Sequence, residues 1–331
     1  MTAEPAEREI TPITFVEAPT ESRNPRTIQI DMMPTREVLR LINAEDARVP
    51  VAVDAVLPEI ERAVDLAVDV LRGAGRIHYF GAGSSGRIAA MDAAELPPTY
   101  ALEPGRVIAH HAGGVAALAG SVAIAEDDVS LGAADAADVR ADDIVVGLTA
   151  SGRTPYVVGA LRASAAAGAS TVLVSANPHA SFGREVDVHI GVDTGPEVIA
   201  GSTRMKAGTG QKLVLNAFST AVMVRLGRTY SNLMVGVSGV NGKLRGRLVT
   251  ILVEATGRDP HICTETLALA EGDLRVALVA LLCDVPVEHA TSAVREAGGV
   301  VRDAVRLAKP APAPHPLRAR HRFRPRIAPR P

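Results

Sequence analysis

The residues whose types and spacing could do chemistry are concentrated in one run, GAGSSGRIAAMDAAELPPTY, from Gly81 to Tyr100. A short apolar run, Arg76 to Phe80, precedes it, so the expected order is strand, glycine-rich turn, helix start. Gly81 and Gly83 permit a tight turn and close backbone approach. Ser84 and Ser85 place hydroxyls where the helix start offers unpaired N–H groups and the positive end of its dipole. These are the parts of a phosphate cradle. Glu95 stands at the far end of the same helix, where the dipole disfavours a charged carboxylate and an acid is well placed to keep its proton.

The pattern returns. Ser85-Gly86-Arg87 is echoed by Ser151-Gly152-Arg153, again after an apolar run and before a helix, with Thr154 next in line. One such loop is an ordinary turn; two in equivalent places point to anion binding. A third stretch, Gly195 to Arg228, reads as a loop and a long helix capped by Ser202 or Thr203, with Leu213, Leu215, Phe218, Val222 and Leu226 on its apolar face. Arg204, Lys206 and Lys212 lie near its beginning. Cations there oppose the dipole, so they are either solvated or turned toward a bound anion. His110 and His111 close another strand with no acid or further histidine at ligand spacing, and read as structural rather than metal-binding.

Positioning such loops calls for an α/β chain. Residues 76–80, 107–110, 144–148, 171–175 and 187–192 read as strands, with helices over 115–126 and 154–167. The expected architecture is a parallel sheet with helices on both faces and ligand sites beyond the carboxyl ends of the strands. Before it, residues 1–30 form a mobile or draped arm, and 35–71 read as two amphipathic helices broken near Pro50, the second kinked at Pro58. Residues 31–257 then make the main domain, 258–308 a small helical domain, and 309–331 a disordered basic tail.

Composition narrows the partners. With 331 residues, 47% hydrophobic and 22% charged, the chain can bury a sizeable core. Only 3% is aromatic and Trp is absent, which argues against an aromatic carbohydrate platform or a base-stacking surface. A sugar would be held by hydrogen bonds. The net charge of −2 conceals an acidic body: residues 1–305 hold 27 basic and 37 acidic side chains, and the basic excess lies in seven Arg and Lys309 of the last 26 residues. That tail reads as solvated, with neither nucleic acid nor membrane as a partner. Cys263 and Cys283 have no paired spacing and read as inert thiols in a reducing compartment. No apolar run reaches the eighteen or so residues of a membrane span, and the first residues lack the basic-then-apolar order of a secretion signal. A cytoplasmic location is expected.

Four runs carry a family resemblance: GAGSSGRIAAMDAAELPPTY, LTASGRTPYV from Leu148 to Val157, GPEVIAGSTRMKAGTGQKLVLN from Gly195, and Asn232 to Val235. In this order, across about Thr20 to Leu307, the chain resembles the N-acetylmuramic acid 6-phosphate etherases. The run from Gly195 to Lys212 is also similar to the glucokinase regulatory protein, a sugar-phosphate binder without catalysis. The resemblance implies a parallel-sheet sandwich of sugar isomerase type with a small C-terminal helical bundle, acting as a homodimer on a small-molecule sugar phosphate, without metal or other cofactor. The implied activity is a carbon–oxygen lyase that removes D-lactate and leaves N-acetylglucosamine 6-phosphate. Glu95 matches the family's proton donor and Glu126 its second active-site glutamate, a residue that reads by itself as one of several solvated acids. Ser84, Ser85, Ser151 and Thr154 become candidates for the phosphate, with Ser202, Arg153, Arg204 and Lys206 as charged or polar support. The rival reading is a non-catalytic sugar-phosphate-binding regulator, and a third is an aldose–ketose isomerase; Glu95 within ELPPT favours the lyase. Leu96 stands where many members have Cys, and Gly236 where they often have Asp. At about 1.5 Å per residue, Ser85 and Glu95 lie roughly 15 Å apart on one helix. They meet on one substrate only if another part of the sheet or a dimer partner supplies one of them.

Overall fold

The computed structural model of the chain describes residues 18–120, 123–237 and 242–309. The first helices are α1, Thr35–Asp46; α2, Val49–Asp54; and α3, Leu57–Arg72. Pro50 and Pro58 are each the second residue of a helix, where no N–H is needed, so each proline begins a helix instead of kinking one. The two expected helices are therefore three. α3 buries Ile60, Ala63, Val64, Ala67, Val68 and Leu71, a stripe at helical spacing that faces the sheet.

The sheet follows, with β1 at Ile77–Gly81, α4 at Gly83–Tyr100 and β2 at Val107–His111. The single helix expected over 115–126 is not continuous: α5 is Ala116–Ala119 and α6 is Ala123–Glu126. Gly120 takes extended backbone and stops α5 after one turn. Next come α7, Val129–Asp135; β3, Ile144–Thr149; α8, Pro155–Ala166; β4, Ser170–Ser175; and β5, Val188–Gly191. Among the described residues these five strands pair in the order β2-β1-β3-β4-β5, all parallel. β1 and β3 are buried along their whole length, as expected of parallel strands covered on both faces; β3 is apolar up to Thr149, while β1 carries His78, whose Nε2 lies 3.3 Å from the buried Asp143 carboxylate. Ile77, Tyr79, Ile144, Val146, Leu148, Val172 and Val174 pack beneath α3, α4 and the long helix α9, Lys206–Arg225. Phe80, Val145 and Leu173 face Tyr156, Val157 and Leu161 of α8 on the other side.

Beyond α9, β6 (Thr229–Tyr230) and β7 (Leu233–Met234) form a short hairpin. The helices α10 (Gly242–Thr256), α11 (Pro260–Leu269), α12 (Leu274–Cys283), α13 (Val287–Glu296) and α14 (Val301–Ala308) form the bundle. Its core includes Val235 and, from α10, Leu248, Ile251 and Leu252. The apolar face of α10 is thus turned to the bundle. Cys263 is buried in that core and both cysteines are free. Among the described residues no single helix is long and apolar enough to cross a membrane. Of the N-terminal arm, residues 18–32 are draped over the loop before α9: Gly201 N donates to Thr20 O at 2.9 Å and Thr27 Oγ1 to Val198 O at 2.8 Å. Residues 1–17 of the arm and 310–331 of the basic tail lie outside the described residues.

α7 and α8 touch backbone to backbone. A side chain at Gly132 would stand 1.9 Å from the Tyr156 carbonyl oxygen, and one at Gly159 would stand 2.0 Å from that of Val129. Gly132→Ala should therefore force the helices apart and destabilise the protein by about 1–3 kcal/mol, read as a lower midpoint in urea denaturation. An unchanged midpoint would show the contact to be yielding.

Candidate active site

The sheet order reverses direction at β1, whose neighbours are β2 on one side and β3 on the other. The crevice beyond the carboxyl ends of β1 and β3 is therefore a topological switch point. Gly81 pairs with Leu148, so the two serine-bearing loops leave the sheet side by side.

At the first loop, helix and strand approach closely. A side chain at Gly86 would meet Gly81 O at 2.6 Å and the His111 ring at 2.4 Å, so only glycine lets α4 start against the end of β1. Gly83 takes the left-handed conformation, φ 54°. His111 lies with Nε2 3.2 Å from Gly83 O and Nδ1 2.8 Å from Ala112 O, and so pins the turn. The Ser84 and Ser85 hydroxyls bond to no other group among the described residues, although Ser85 is buried. Arg87 reaches out of the same turn and donates to the carbonyls of Ala117, Leu118 and Gly120, tying down the segment that leads toward Glu126.

At the second loop Thr149 Oγ1 lies 2.7 Å from Thr154 Oγ1 and 3.4 Å from Ser151 Oγ. Asn177 Nδ2 donates to Ser151 O at 3.3 Å. Three hydroxyls are thus held together, and Thr149 and Asn177 are supporting residues that the sequence reading missed. The apolar run before Ser151 hid the first, and nothing local marked the second. Arg153 is an exposed residue of the same loop.

The third loop, ahead of α9, reaches the same edge. A side chain at Gly208 would touch Ile88 of α4 at 3.5 Å, so the start of α9 abuts that of α4. Two expectations change here. α9 begins at Lys206, with Met205 at its cap, so neither Ser202 nor Thr203 caps it. The capping group is the buried carboxylate of Glu197, which accepts from Lys206 N at 3.0 Å and Ala207 N at 2.9 Å. Lys206 does not face an anion in solvent: its ammonium is fully buried and donates to Glu45 Oε2 at 2.7 Å. Arg26 of the draped arm bonds the same carboxylate. Burial pushes Glu45 up, but the bonds from Arg26 and Lys206 outweigh it and hold the carboxyl at about 2. Ser202, half-buried, and Arg204, exposed, remain at the edge.

The two glutamates lie elsewhere. Glu95 is exposed, ten residues from Ser85 along an unbroken α4, about 15 Å away. Its helix is fixed by Asp92, a buried residue that the sequence reading passed over; Asp92 accepts from Tyr79 Oη at 3.1 Å and bonds Ser219 Oγ at 3.0 Å, joining α4 to β1 and α9. Burial raises the Asp92 carboxyl above the ordinary carboxylate range against the pull of those two hydroxyls. Glu126 ends α6, and partial burial, then the neighbouring charge of Asp127, raise its carboxyl. No hydrogen bond or ion pair among the described residues links Glu95 to Glu126 or either to the serine loops. His110 is taken up by His78, Nε2 to Nδ1 at 3.0 Å, and stacks on Phe80; burial and then His78 push it down to about 4.

Comparison with known proteins bears on this arrangement. A sequence profile of the glucokinase regulatory protein N-terminal SIS domain matches residues 59–165. An N-acetylmuramic acid 6-phosphate etherase of Thermobifida fusca (strain YX) is 66% identical over 82% of this chain and 89% of its own length. The chain belongs to the N-acetylmuramic acid 6-phosphate etherase family. Etherases of Cutibacterium acnes (strain DSM 16379 / KPA171202), at 48% identity, and Brucella anthropi, at 45%, each match 87% of this chain and 95% of their own length. Among solved structures, a phosphoheptose isomerase from Francisella tularensis is similar at TM-score 0.48 and 17% identity, covering 58% of this chain and all of its own. In this etherase-family chain, then, the two serine-bearing segments emerge side by side at the sheet edge, and no hydrogen bond among the described residues joins Glu95 or Glu126 to them.

The Lys206–Glu45 pair yields a test. Removing one partner, as in Glu45→Gln or Lys206→Met, strands a buried charge and should destabilise by about 3–5 kcal/mol in denaturant titration. The double variant should lose much less than the sum. Because the Glu45 carboxyl is held at about 2 in the fold, against an ordinary 4.5, its contribution is complete above 4.5 and disappears as pH falls toward 2. Wild type should lose stability across that window more steeply than Glu45→Gln; equal slopes would refute the assignment.

Proposed function

We propose that this chain cleaves the D-lactyl ether of N-acetylmuramic acid 6-phosphate, giving N-acetylglucosamine 6-phosphate and D-lactate by elimination and then hydration, in recovery of cell-wall amino sugar in the cytoplasm. The observation that carries the reading is the 66% identity to an etherase across 82% of the chain. The similarity to the non-catalytic regulator's domain spans only residues 59–165. The convergence of hydroxyls at the switch point supports a phosphate-bearing substrate.

The ether oxygen leaves from the carbon beta to the open-chain aldehyde. A base takes the proton on the alpha carbon, the released pair forms the carbon–carbon double bond, and the carbon–oxygen bond breaks as an acid protonates the departing lactate oxygen. The acid, now a carboxylate, takes a proton from water as that water adds to the beta carbon, and the base returns its proton to the alpha carbon. In this scheme Glu95 is the acid and then the activator of water, and Glu126 is the base. Two carboxyls can hold opposite protonation states when their surroundings differ. The raised carboxyl of Glu126 is a stronger base than an ordinary carboxylate once ionised. The phosphate is held by the Ser84, Ser85, Ser151 and Thr154 hydroxyls and the N–H groups of α4's first turn, with Ser202, Arg153 and Arg204 at the rim. Binding this remote group fixes the reacting carbons against the acid and base.

The acting unit is a homodimer in which Glu95 of one subunit serves the sugar held by the serine loops of its partner. The exposure of Glu95 and its separation of about 15 Å from Ser85 support this arrangement. Purified protein incubated with N-acetylmuramic acid 6-phosphate should release D-lactate; folded protein that binds the sugar phosphate but releases none would sink the reading. Glu95→Gln should lower turnover by about 10²-fold or more, and near wild-type turnover would dismiss it as the acid. Mixing Glu95→Gln subunits with Ser84→Ala/Ser151→Ala subunits should restore about a quarter of wild-type activity, because half the dimers then hold one intact site. No recovery in subunits shown to exchange would place all these groups in one subunit's site.

A further inference from the structure

The body of this chain is acidic, yet four arginines gather around one cavity in it. It has a volume of about 510 Å³ and lies where α3 and α9 end, beside the β6–β7 hairpin and α14. Arg72, Arg225, Arg302 and Arg306 line it, with Asp303, Thr229 and Ser231. α3 leads into the start of β1, and α9 runs its 20 residues away from the serine loops, so this cavity is at the amino edge of the sheet, opposite the switch point.

Helix ends account for part of this charge. Arg72, Arg225 and Arg306 lie in the last turns of α3, α9 and α14, where a cation is favoured. Each also has an acidic neighbour: Asp69 at 3.7 Å from Arg72, Asp65 at 2.9 Å from Arg225, and Asp303 beside Arg306. All three pairs are largely exposed, and such pairs contribute little, so they exchange readily for a stronger anion. Arg302 is different. It sits in the first turn of α14, where the dipole opposes a cation, and has no acidic partner or hydrogen bond among the described residues. Its guanidinium lies over the Tyr230 ring at 5.6 Å, which orients the donor fork without occupying it. The Thr229 hydroxyl likewise bonds nothing among the described residues, and Ser231 has only a long contact of 3.5 Å to Asn232.

We propose that this cavity binds a phosphorylated small molecule, distinct in place from the substrate's phosphate cradle. Guanidinium forks match phosphate oxygens two by two, and the cavity is of small-molecule size. A phosphate seated there joins the ends of α3 and α9, which belong to the sheet domain, to α14 of the bundle. It thereby ties two separately cored bodies together and offers a control point remote from the chemistry.

Pyrophosphate titrated into full-length protein by calorimetry, in about 0.1 M sodium chloride, tests this. Wild type should bind with a dissociation constant at or below about 1 mM. In the Ser84→Ala/Ser151→Ala background, which silences the proposed substrate cradle, pyrophosphate binding should remain, Arg302→Gln and Arg306→Gln should each weaken it about tenfold, and the surface control Arg162→Gln should change it less than twofold. Should α14 fail to fold in the Arg302 and Arg306 variants, Arg72→Gln on α3 gives the same reading from the other body. Absence of binding to wild type would overturn the proposal, as would arginine variants that bind like the serine background or a loss that follows the serine variant instead.

Discussion

The parallel pairing of β1 with β3 is the constraint on which the functional edge of this protein depends. Gly81 opposite Leu148 sets the carboxyl ends of two buried strands side by side, so that whatever loop each strand feeds must emerge next to the other. β1 runs directly into α4, whose first turns carry Ser85-Gly86-Arg87, and β3 runs into the Ser151-Gly152-Arg153 loop ahead of α8. The first turn closes only because Gly81 and Gly86 lack side chains, and His111 from the next strand seals it. The second closes around Thr149, whose hydroxyl belongs to the strand itself. The proposed phosphate cradle has few moving parts: its hydroxyls sit on a helix start and a short loop that the sheet holds in place.

The third loop reaches the same edge by different physics. The start of α9 is an attractive anion site on general grounds, yet the protein fills it with its own carboxylate, Glu197, and turns Lys206 inward to Glu45. Two buried charges of opposite sign, each satisfied, act here as a rivet. They fasten α1, α9 and, through Arg26, the arm draped over the loop. This leaves Ser202 and Arg204 at the surface on a loop whose backbone is held from both sides.

The carboxyls proposed for chemistry stand apart from the cradle, and the helix that bears Glu95 explains why. α4 is unbroken from Gly83 to Tyr100, and Asp92 locks it to β1 and α9 through Tyr79 and Ser219. A helix so anchored cannot bend to bring Glu95 back to Ser85. The same rigidity suits an acid that projects from one subunit toward the sugar of another, as the proposed dimer requires.

Much of this was legible from residues alone. Unbroken apolar runs such as Ile144 to Leu148 can only be strands covered on both faces, and glycine-rich turns between them and helices imply a parallel sheet with its ligand edge at their ends. The doubled Ser-Gly-Arg run marked two segments that the sheet brings to one edge, and the motif order marked the family. What local sequence could not reveal was where long side chains end. Lys206 reads as a free cation until Glu45, 161 positions earlier, is brought beneath it. Nothing local marks Asp92 until Tyr79 and Ser219 enclose it, and Arg302 joins the other arginines only where three helices come together. Periodicity and turn chemistry act over a few residues and are written in the chain. Charge pairing and burial depend on groups far apart in sequence, so only the folded arrangement decides them.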